Sequence, residues 1–234
     1  MRKLELTPRL QKVADWVPQG ARLADVGTDH AYLPAWLLLN GRITSAIASD
    51  LRAGPLRKAA DTCARYGIGN IELRLCGGLE ALQPGEMDTI VIAGMGGETI
   101  ASILAAAPWT ADGRHTLLLQ PMTKVETLRA FLAEHGYAIR REALVREKDT
   151  LYTLMLVEAG EMTLTTGQAY GGVKLTEDPL GDRYLIQRIV QIQSAIYAMG
   201  RSPSAGKEAD RQREIVTALM KMREEWRHAN CQTN

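Results

Sequence analysis

Three carboxylates and a run of glycines, each set at the end of a short apolar stretch, are the residues of this chain best placed to do chemistry. The first group lies in Ala24-Asp25-Val26-Gly27-Thr28-Asp29-His30-Ala31-Tyr32-Leu33-Pro34. Asp25 closes an apolar run, and Gly27 two places later lets a ligand come close to the backbone. A dinucleotide-binding turn would read GxGxxG, with its backbone N–H groups facing a pyrophosphate. Here Asp29 stands where a second glycine belongs, and the carboxylates of Asp25 and Asp29 repel phosphate. A cationic sulfonium with an amino-acid tail suits such a turn better, which favours S-adenosyl-L-methionine over a nicotinamide dinucleotide. The second group is Ser49-Asp50, about 20 residues beyond the turn, where a carboxylate accepts from both hydroxyls of a ribose. Capping the helix that begins near Pro55 is the competing role for Asp50. The third group is Ile92-Ala93-Gly94-Met95-Gly96-Gly97-Glu98, whose glycines clear a path for a flat ring or a substrate. Close helix–sheet packing accounts more easily for one or two of these glycines than for three.

The elements that must hold these loops are legible as alternation. Short apolar runs begin at Ala21 (ARLADV), Thr44 (TSAIASD), Ile71 (IELRLC), Asp88 (DTIVIAG) and His115 (HTLLLQP), and each ends in, or just before, a Gly, Asp, Cys or Pro. They have the length and Val/Ile/Leu content of buried parallel strands. Helix-like stretches lie between and after them at Ala31–Leu39, Pro55–Tyr66, Glu98–Ala106 and Lys124–His135, with Gly67 and Gly136 suited to the positions just past a helix end. Then YAIRREALVREK and TLYTLMLVEAG alternate apolar with polar residues about a Lys148-Asp149 turn, an antiparallel hairpin at the sheet edge. Repeated βα units of this kind wind into an α/β sheet whose ligands bind at the carboxyl ends of the strands. Beyond Gly160 the strands stop. Leu185, Ile189, Ile192, Ile196 and Met199, then Ile215, Leu219, Met222 and Trp226, repeat at helical spacing on either side of GRSPSAG from Gly200. Two such stripes predict an antiparallel helical hairpin, a small coiled coil.

Composition narrows the class. The 234 residues carry 28 Lys and Arg against 27 Asp and Glu, for a net charge of +1, so bulk charge gives no support for a nucleic-acid partner and leaves a local basic patch open. The amphipathic start lacks the apolar core of a signal peptide, and the longest apolar run, Ala31 to Leu39, is far short of a membrane span. Cys63, Cys76 and Cys231 form no CxxC, and His30, His115, His135 and His228 show no ligand spacing, so neither a disulfide framework nor a metal site is expected. A reducing, cytoplasmic location is the expectation.

The strings ADVGTDHAYLP, AIASDLRAGPL, TIVIAGMGGETI and LLLQPM, followed by EKD-x-LY, resemble the bacterial tRNA adenine-N1 methyltransferases that modify the adenine at position 22. The resemblance runs from about Thr7 to about Glu158, and the helical tail matches in kind. It implies a Rossmann-like class I methyltransferase fold: a doubly wound, mostly parallel seven-stranded sheet with a C-terminal antiparallel helical hairpin. It divides the chain into a catalytic, cofactor-binding domain over 1–160 and a helical domain over 161–234. The implied cofactor is S-adenosyl-L-methionine, held by Asp25, Gly27, Thr28 and His30 in the first loop. Asp50 and Leu51 would meet the ribose, Gly77, Gly78 and Leu79 the adenine ring, and Ala93 and Gly94 the sulfonium. One departure stands out. The family usually has Asp or Asn before the Gly-Leu of the third loop; this chain reads Cys76-Gly77-Gly78-Leu79, so that side-chain contact to the adenine amino group is absent.

Adenine N1 presents an in-plane lone pair and no proton, so positioning and stabilisation of the cationic product dominate what such a reaction needs. Asp29 is the expected carboxylate, with capping of the helix near Ala31 its competing role. Tyr32 is placed to stack on or hydrogen-bond the incoming base, and Met95, Gly96 and Gly97 to form the pocket floor. N1 lies on the pairing edge, so the target must be unpaired or flipped. Arg9, Arg140 and Arg141 head the expected RNA contacts, with Arg52, Arg57, Lys58, Arg146 and Lys148 around them. Arg183, Arg188, Arg211, Arg213, Lys221, Arg223 and Arg227 sit on the hairpin, which is expected to grip the D-arm and elbow of tRNA. A monomer without metal or membrane is expected. The rival readings are a methyltransferase of this fold with another substrate, and a non-catalytic homologue that binds cofactor or RNA.

Overall fold

The computed structural model describes residues 4–175, 177–199 and 206–231. Helix α1 (Pro8–Trp16) opens the chain, with Thr7 as its N-cap accepting from Leu10 N and Pro8 in its first turn, where the missing N–H costs nothing. Then follow β1 (Ala21–Val26), α2 (Tyr32–Leu39), β2 (Ile43–Asp50), α3 (Ala53–Tyr66), β3 (Ile71–Leu75), β4 (Thr89–Gly96) and α4 (Gly97–Ala105). After a 3-10 turn at Pro108–Ala111 come β5 (Thr116–Thr123), α5 (Val125–Glu134), β6 (Tyr137–Glu147) and β7 (Thr150–Ala159). Thr165 and Gln168 form a reciprocal capping box at α6 (Thr166–Gly171), ahead of α7 (Gly181–Met199) and α8 (Gly206–Cys231).

The seven strands lie in the order β3-β2-β1-β4-β5-β7-β6. β1 pairs in parallel with β2 on one side and with β4 on the other, so the strand order reverses between β1 and β4. The hairpin joins the parallel strands through β7, which pairs antiparallel with β5. The core explains the strand sequences: Ile90, Val91 and Ile92 of β4 and Leu117, Leu118 and Leu119 of β5 are fully buried, as a sheet covered on both faces requires. The five apolar runs and the hairpin read from sequence coincide with β1 to β7, and Lys148 takes the left-handed conformation at the hairpin turn (φ 56). α3 begins two residues earlier than its apolar pattern suggests, at Ala53, which still leaves Pro55 in the first turn. α1, α6 and the 3-10 turn were not among the expected elements. α6 has six residues, too few for a periodic pattern to show.

By contacts the chain forms two compact units, one from residues up to Arg141 together with Val145–Met162, the other from Glu142–Leu144 together with residues from Thr163 on. Within the second, Leu185, Ile189 and Ile192 of α7 pack against Ile215, Val216 and Leu219 of α8, with Ile196, Met222 and Trp226 at the margins. Asp182, at the start of α7, accepts from Arg223 Nε at 2.7 Å and Arg227 Nε at 3.1 Å near the end of α8, so the helices run antiparallel. Those bonds hold the Asp182 carboxyl below its ordinary range. The expected break at GRSPSAG falls on residues 200–205, outside the described residues.

Candidate functional site

The carboxyl ends of β1 and β4 meet at the switch point, and two cavities open there. The larger, about 530 Å³, is lined by Gly27, Asp50, Leu51, Gly77, Gly78, Leu79 and Met95 of the expected set, with Arg52, Cys76, Glu80 and residues of α4. The smaller, about 300 Å³, is lined by Arg9, Asp25, Gly27, Thr28, Asp29, His30, Tyr32, Ala93 and Gly94. Gly27 is a wall of both. It holds φ +78, and the terminal methyl of Met95 lies 2.0 Å from where a Gly27 Cβ would stand.

The local folding of the first loop explains what it can bind. The N–H groups of Gly27 and Thr28 both donate to Ser49 O, at 2.8 and 2.9 Å. These two donors are spent inside the sheet and cannot serve a phosphate, in agreement with the carboxylates of the turn. Asp25 is 8% exposed, and burial pushes its carboxyl up to about 6. The buried Thr28 hydroxyl lies beside that carboxyl and offsets part of the rise, yet it makes no hydrogen bond of full geometry, which leaves it capacity for a ligand. A buried carboxyl beside an unsatisfied hydroxyl fits the ammonium of an amino acid. Asp29 caps nothing: the residue before α2 is Ala31, in the left-handed conformation, with no side-chain cap. The Asp29 side chain is 67% exposed, 3.3 Å from His30 Nε2 and 3.9 Å from Lys58 Nζ. The His30 ring stacks on Tyr32 at 4.9 Å, and Tyr32 stays exposed at the cavity rim.

In the larger cavity, Asp50 Oδ1 accepts from Arg52 N at 2.8 Å, which closes a turn after β2. The residue preceding α3 is Arg52, with no side-chain cap, so Asp50 does not cap that helix and remains a wall of the cavity, suited to ribose hydroxyls. Leu51 is exposed and apolar beside it. Gly78 holds φ +56, with Ile103 of α4 packed 3.1 Å from where its Cβ would be.

The glycines after β4 divide between two jobs. The register with β5 shifts at Met95 and Gly96, a bulge with Gly94 at φ +80 in the smaller cavity. Gly96 and Gly97, expected as pocket floor, line neither cavity. A Cβ on Gly97 would stand 2.2 Å from Lys124 O, and one on Gly96 3.2 Å from Thr123 Oγ1, so their lack of side chain serves the packing of α4. Gln120 of β5 holds the bulge. Its Oε1 accepts from Gly94 N at 3.1 Å and from an Arg9 guanidinium nitrogen at 2.6 Å, while the side chain is 1% exposed. Sequence reasoning gave Gln120 no role, although an amide closing a buried Leu-Leu-Leu run was itself a signal, because buried polar side chains are rare without a task.

The cations expected to meet RNA are placed unevenly. Arg9 reaches the smaller cavity from α1. Arg140 and Arg141 lie on β6 and line neither cavity: Arg140 pairs with Glu158 at 3.3 Å, and Arg141 covers the Trp16 ring at 4.3 Å. Arg146 donates to Lys148 O. Among the described residues no three His, Cys, Asp or Glu side chains gather as a metal would need, and no helix is long and apolar enough to cross a membrane.

A family profile described as a methyltransferase domain matches residues 6–155. The tRNA (adenine(22)-N(1))-methyltransferase of Bacillus subtilis is 38% identical over 186 residues, 79% of this chain and 76% of that one. Among solved structures, Streptococcus pneumoniae Sp1610 in complex with S-adenosyl-L-methionine superposes with TM-score 0.83 at 32% identity, covering 94% of this chain and 100% of that one. M. capricolum TrmK in complex with S-adenosyl-homocysteine gives TM-score 0.81 at 26% identity, covering 95% of this chain and 99% of that one.

Proposed function

This chain belongs to the family of the bacterial tRNA adenine-22 N1-methyltransferases, and from that membership we propose that it transfers a methyl group from S-adenosyl-L-methionine to N1 of adenine 22 in tRNA. The observation that carries the reading is the split site at the switch point. A nucleoside-sized cavity with Asp50 in its wall and a smaller cavity holding the buried Asp25 meet at Gly27. Asp50 would hold the ribose, and Asp25 with the Thr28 hydroxyl the ammonium of the methionine end. Bound there, the cofactor supplies an electrophilic methyl group.

The chain's own residues then have positional and electrostatic work. N1 has no proton to lose, so no general base is required. The ring becomes cationic as the methyl arrives, and a nearby carboxylate stabilises that charge. Asp29 is the group for this: it is exposed at the rim and free of a capping role. Tyr32, exposed and backed by His30, offers a stacking face for an adenine drawn out of its pairing. The C-terminal helical unit, with Arg183 and Arg211 on exposed positions, would grip the D-arm and elbow of tRNA, by a monomeric enzyme acting in the cytoplasm.

Transfer of labelled methyl to two unmodified tRNA transcripts, with adenine or guanine at position 22, tests the proposal. Label in the adenine transcript alone, recovered as 1-methyladenosine, is the expected result. Label in both moves the target, and label in neither overturns the activity.

A further inference from the structure

One wall of the larger cavity has little of its own to hold it in place. The run Cys76-Gly77-Gly78-Leu79-Glu80 follows β3, lies outside any helix or strand, and lines the cavity along its whole length. Gly77 and Gly78 have no side chains to pack, and Gly78 stands in the left-handed conformation. The backbone bond across the run, from Glu80 N to Gly77 O, is long at 3.2 Å.

The run is fastened from behind by Arg74 of β3, which lines neither cavity and whose side chain is 17% exposed. Its Nη1 donates to Ala81 O at 2.9 Å, so one side chain ties the strand just before the run to the residue just after it. Nη1 and Nη2 also donate to the two oxygens of Glu86, at 2.8 and 2.6 Å. Glu72 takes Nε and Nη2 at 2.7 and 2.9 Å. These bonds use every N–H of the guanidinium, which leaves none for a ligand or for RNA. Glu86 is locked in turn, because it accepts from Gln83 N at 2.7 Å, and its carboxyl is held down at about 2 by Arg74 and that N–H. Farther along the same segment, Pro84 O accepts from His115 Nε2 at 2.9 Å and Gly85 O from Arg22 at 2.8 Å.

A solvated surface ion pair would contribute little. This guanidinium is mostly buried and bidentate, a geometry that fixes orientation as well as distance. A glycine-rich wall without such a fastening would have to be ordered each time a ligand arrived, and that ordering weakens binding.

We propose that Arg74 is a positioning residue for the larger cavity, its fork holding the run 76–80 ready in the shape that receives the nucleoside end of the cofactor. This rests on the cofactor assignment above. It extends the device that shapes the cavity to Glu86, a residue outside the cavity lining.

Hydrogen exchange on the ligand-free chain and calorimetry with S-adenosyl-homocysteine test the proposal together. In Arg74→Met, which keeps an apolar stem and removes the fork, the amides of residues 77–83 should exchange about tenfold faster, with β1 and β4 unchanged. The dissociation constant for S-adenosyl-homocysteine should rise about tenfold, the scale of ordering one or two loop residues on binding. A partly unfolded sample would instead lower the binding stoichiometry and leave the dissociation constant unmoved. Arg74→Lys should recover only part of the affinity, because an ammonium cannot reproduce the fork. Glu86→Gln, which keeps one acceptor and loses the charge, should fall between the wild type and Arg74→Met, and it carries the test if Arg74→Met does not fold. In turnover, the KM for S-adenosyl-L-methionine should rise while kcat at saturating cofactor stays within about twofold. Wild-type affinity in Glu86→Gln and in folded Arg74→Met overturns the proposal and leaves the methyltransferase reading standing, as does faster exchange without loss of affinity. If the wild type itself binds no S-adenosyl-homocysteine, the cofactor assignment falls and this proposal with it.

Discussion

Replacing Asp25 by Asn should make the empty protein more stable while making it a poorer enzyme. Asp25 is 8% exposed, and burial raises its carboxyl from the ordinary 3.8 to about 6. A carboxyl with a folded value above its unfolded one takes up more protons folded than unfolded between those limits, so stability falls as pH rises through them. The ionised form then carries a penalty of about 3 kcal/mol at pH 8, taking 1.36 kcal/mol per pH unit between 3.8 and about 6. By pH 4.5 the folded carboxyl is protonated, and the same linkage leaves about 1 kcal/mol. Asn is neutral and of similar size, so Asp25→Asn removes this pH-dependent penalty. With roughly 2–4 °C per kcal/mol for a chain of this length, the variant should melt about 6–12 °C higher at pH 8, with a gap about a third as large at pH 4.5. Calorimetric titration should show the reverse for function: S-adenosyl-homocysteine bound about tenfold or more weakly by the variant at pH 8, because the ammonium loses its counter-charge. The wild type's affinity should decline below pH 6 more steeply than the variant's. Thermal melts at the two pH values with and without ligand are the assay. A lower melting temperature for the variant at pH 8, or an equal gap at both pH values, would refute the burial argument.

Asp29→Asn should lower turnover on tRNA about tenfold to a hundredfold, less than a fully desolvated charge because the side chain is 67% exposed, with cofactor affinity unchanged by calorimetry. A parallel loss of cofactor affinity would make it a cofactor ligand instead. Gly97→Ala puts a methyl 2.2 Å from the Lys124 carbonyl, a backbone atom that cannot swing aside, and should cost about 3 kcal/mol in a denaturant titration. A cost below about 1 kcal/mol would show that α4 is not held this closely. Glu80 lines the larger cavity, and its carboxylate oxygens lie 3.5 Å from where a Gly77 side chain would begin. Glu80→Ala should therefore weaken S-adenosyl-homocysteine binding severalfold, about 1 kcal/mol for one hydrogen bond, and Gly77→Asp in the same chain should restore it. Wild-type affinity in Glu80→Ala would exclude that carboxylate from the site.

What could be read from the sequence, and what could not, divides along a physical line. The strands were legible because burial on both faces forces continuous apolar runs such as Thr89–Ile92 and Thr116–Leu119. That the first loop borders a cavity was legible from Asp25 and Asp29 around a single Gly27, whereas only the structure separates Asp29 from a helix cap, because the residue before α2 is Ala31. The glycines after β4 were not separable, because a missing side chain looks the same whether it borders a cavity, as at Gly94, or makes room for a carbonyl from another element, as at Gly97. Only the partner 27 residues on, Lys124, distinguishes them. Arg9 and Gln120 are 111 residues apart, and nothing local in either neighbourhood announces the other. An arginine at a helix start reads as surface charge, and a glutamine at a strand end reads as a cap to the apolar run. Their meaning is created by β5 lying beside β4, which brings the Gln120 carbonyl to the bulge, and by α1 delivering Arg9 to the same oxygen. A cavity wall built by topology in this way is non-local: one oxygen of Gln120 accepts from both the Gly94 bulge and Arg9, so removing that oxygen releases two segments that are far apart in the chain.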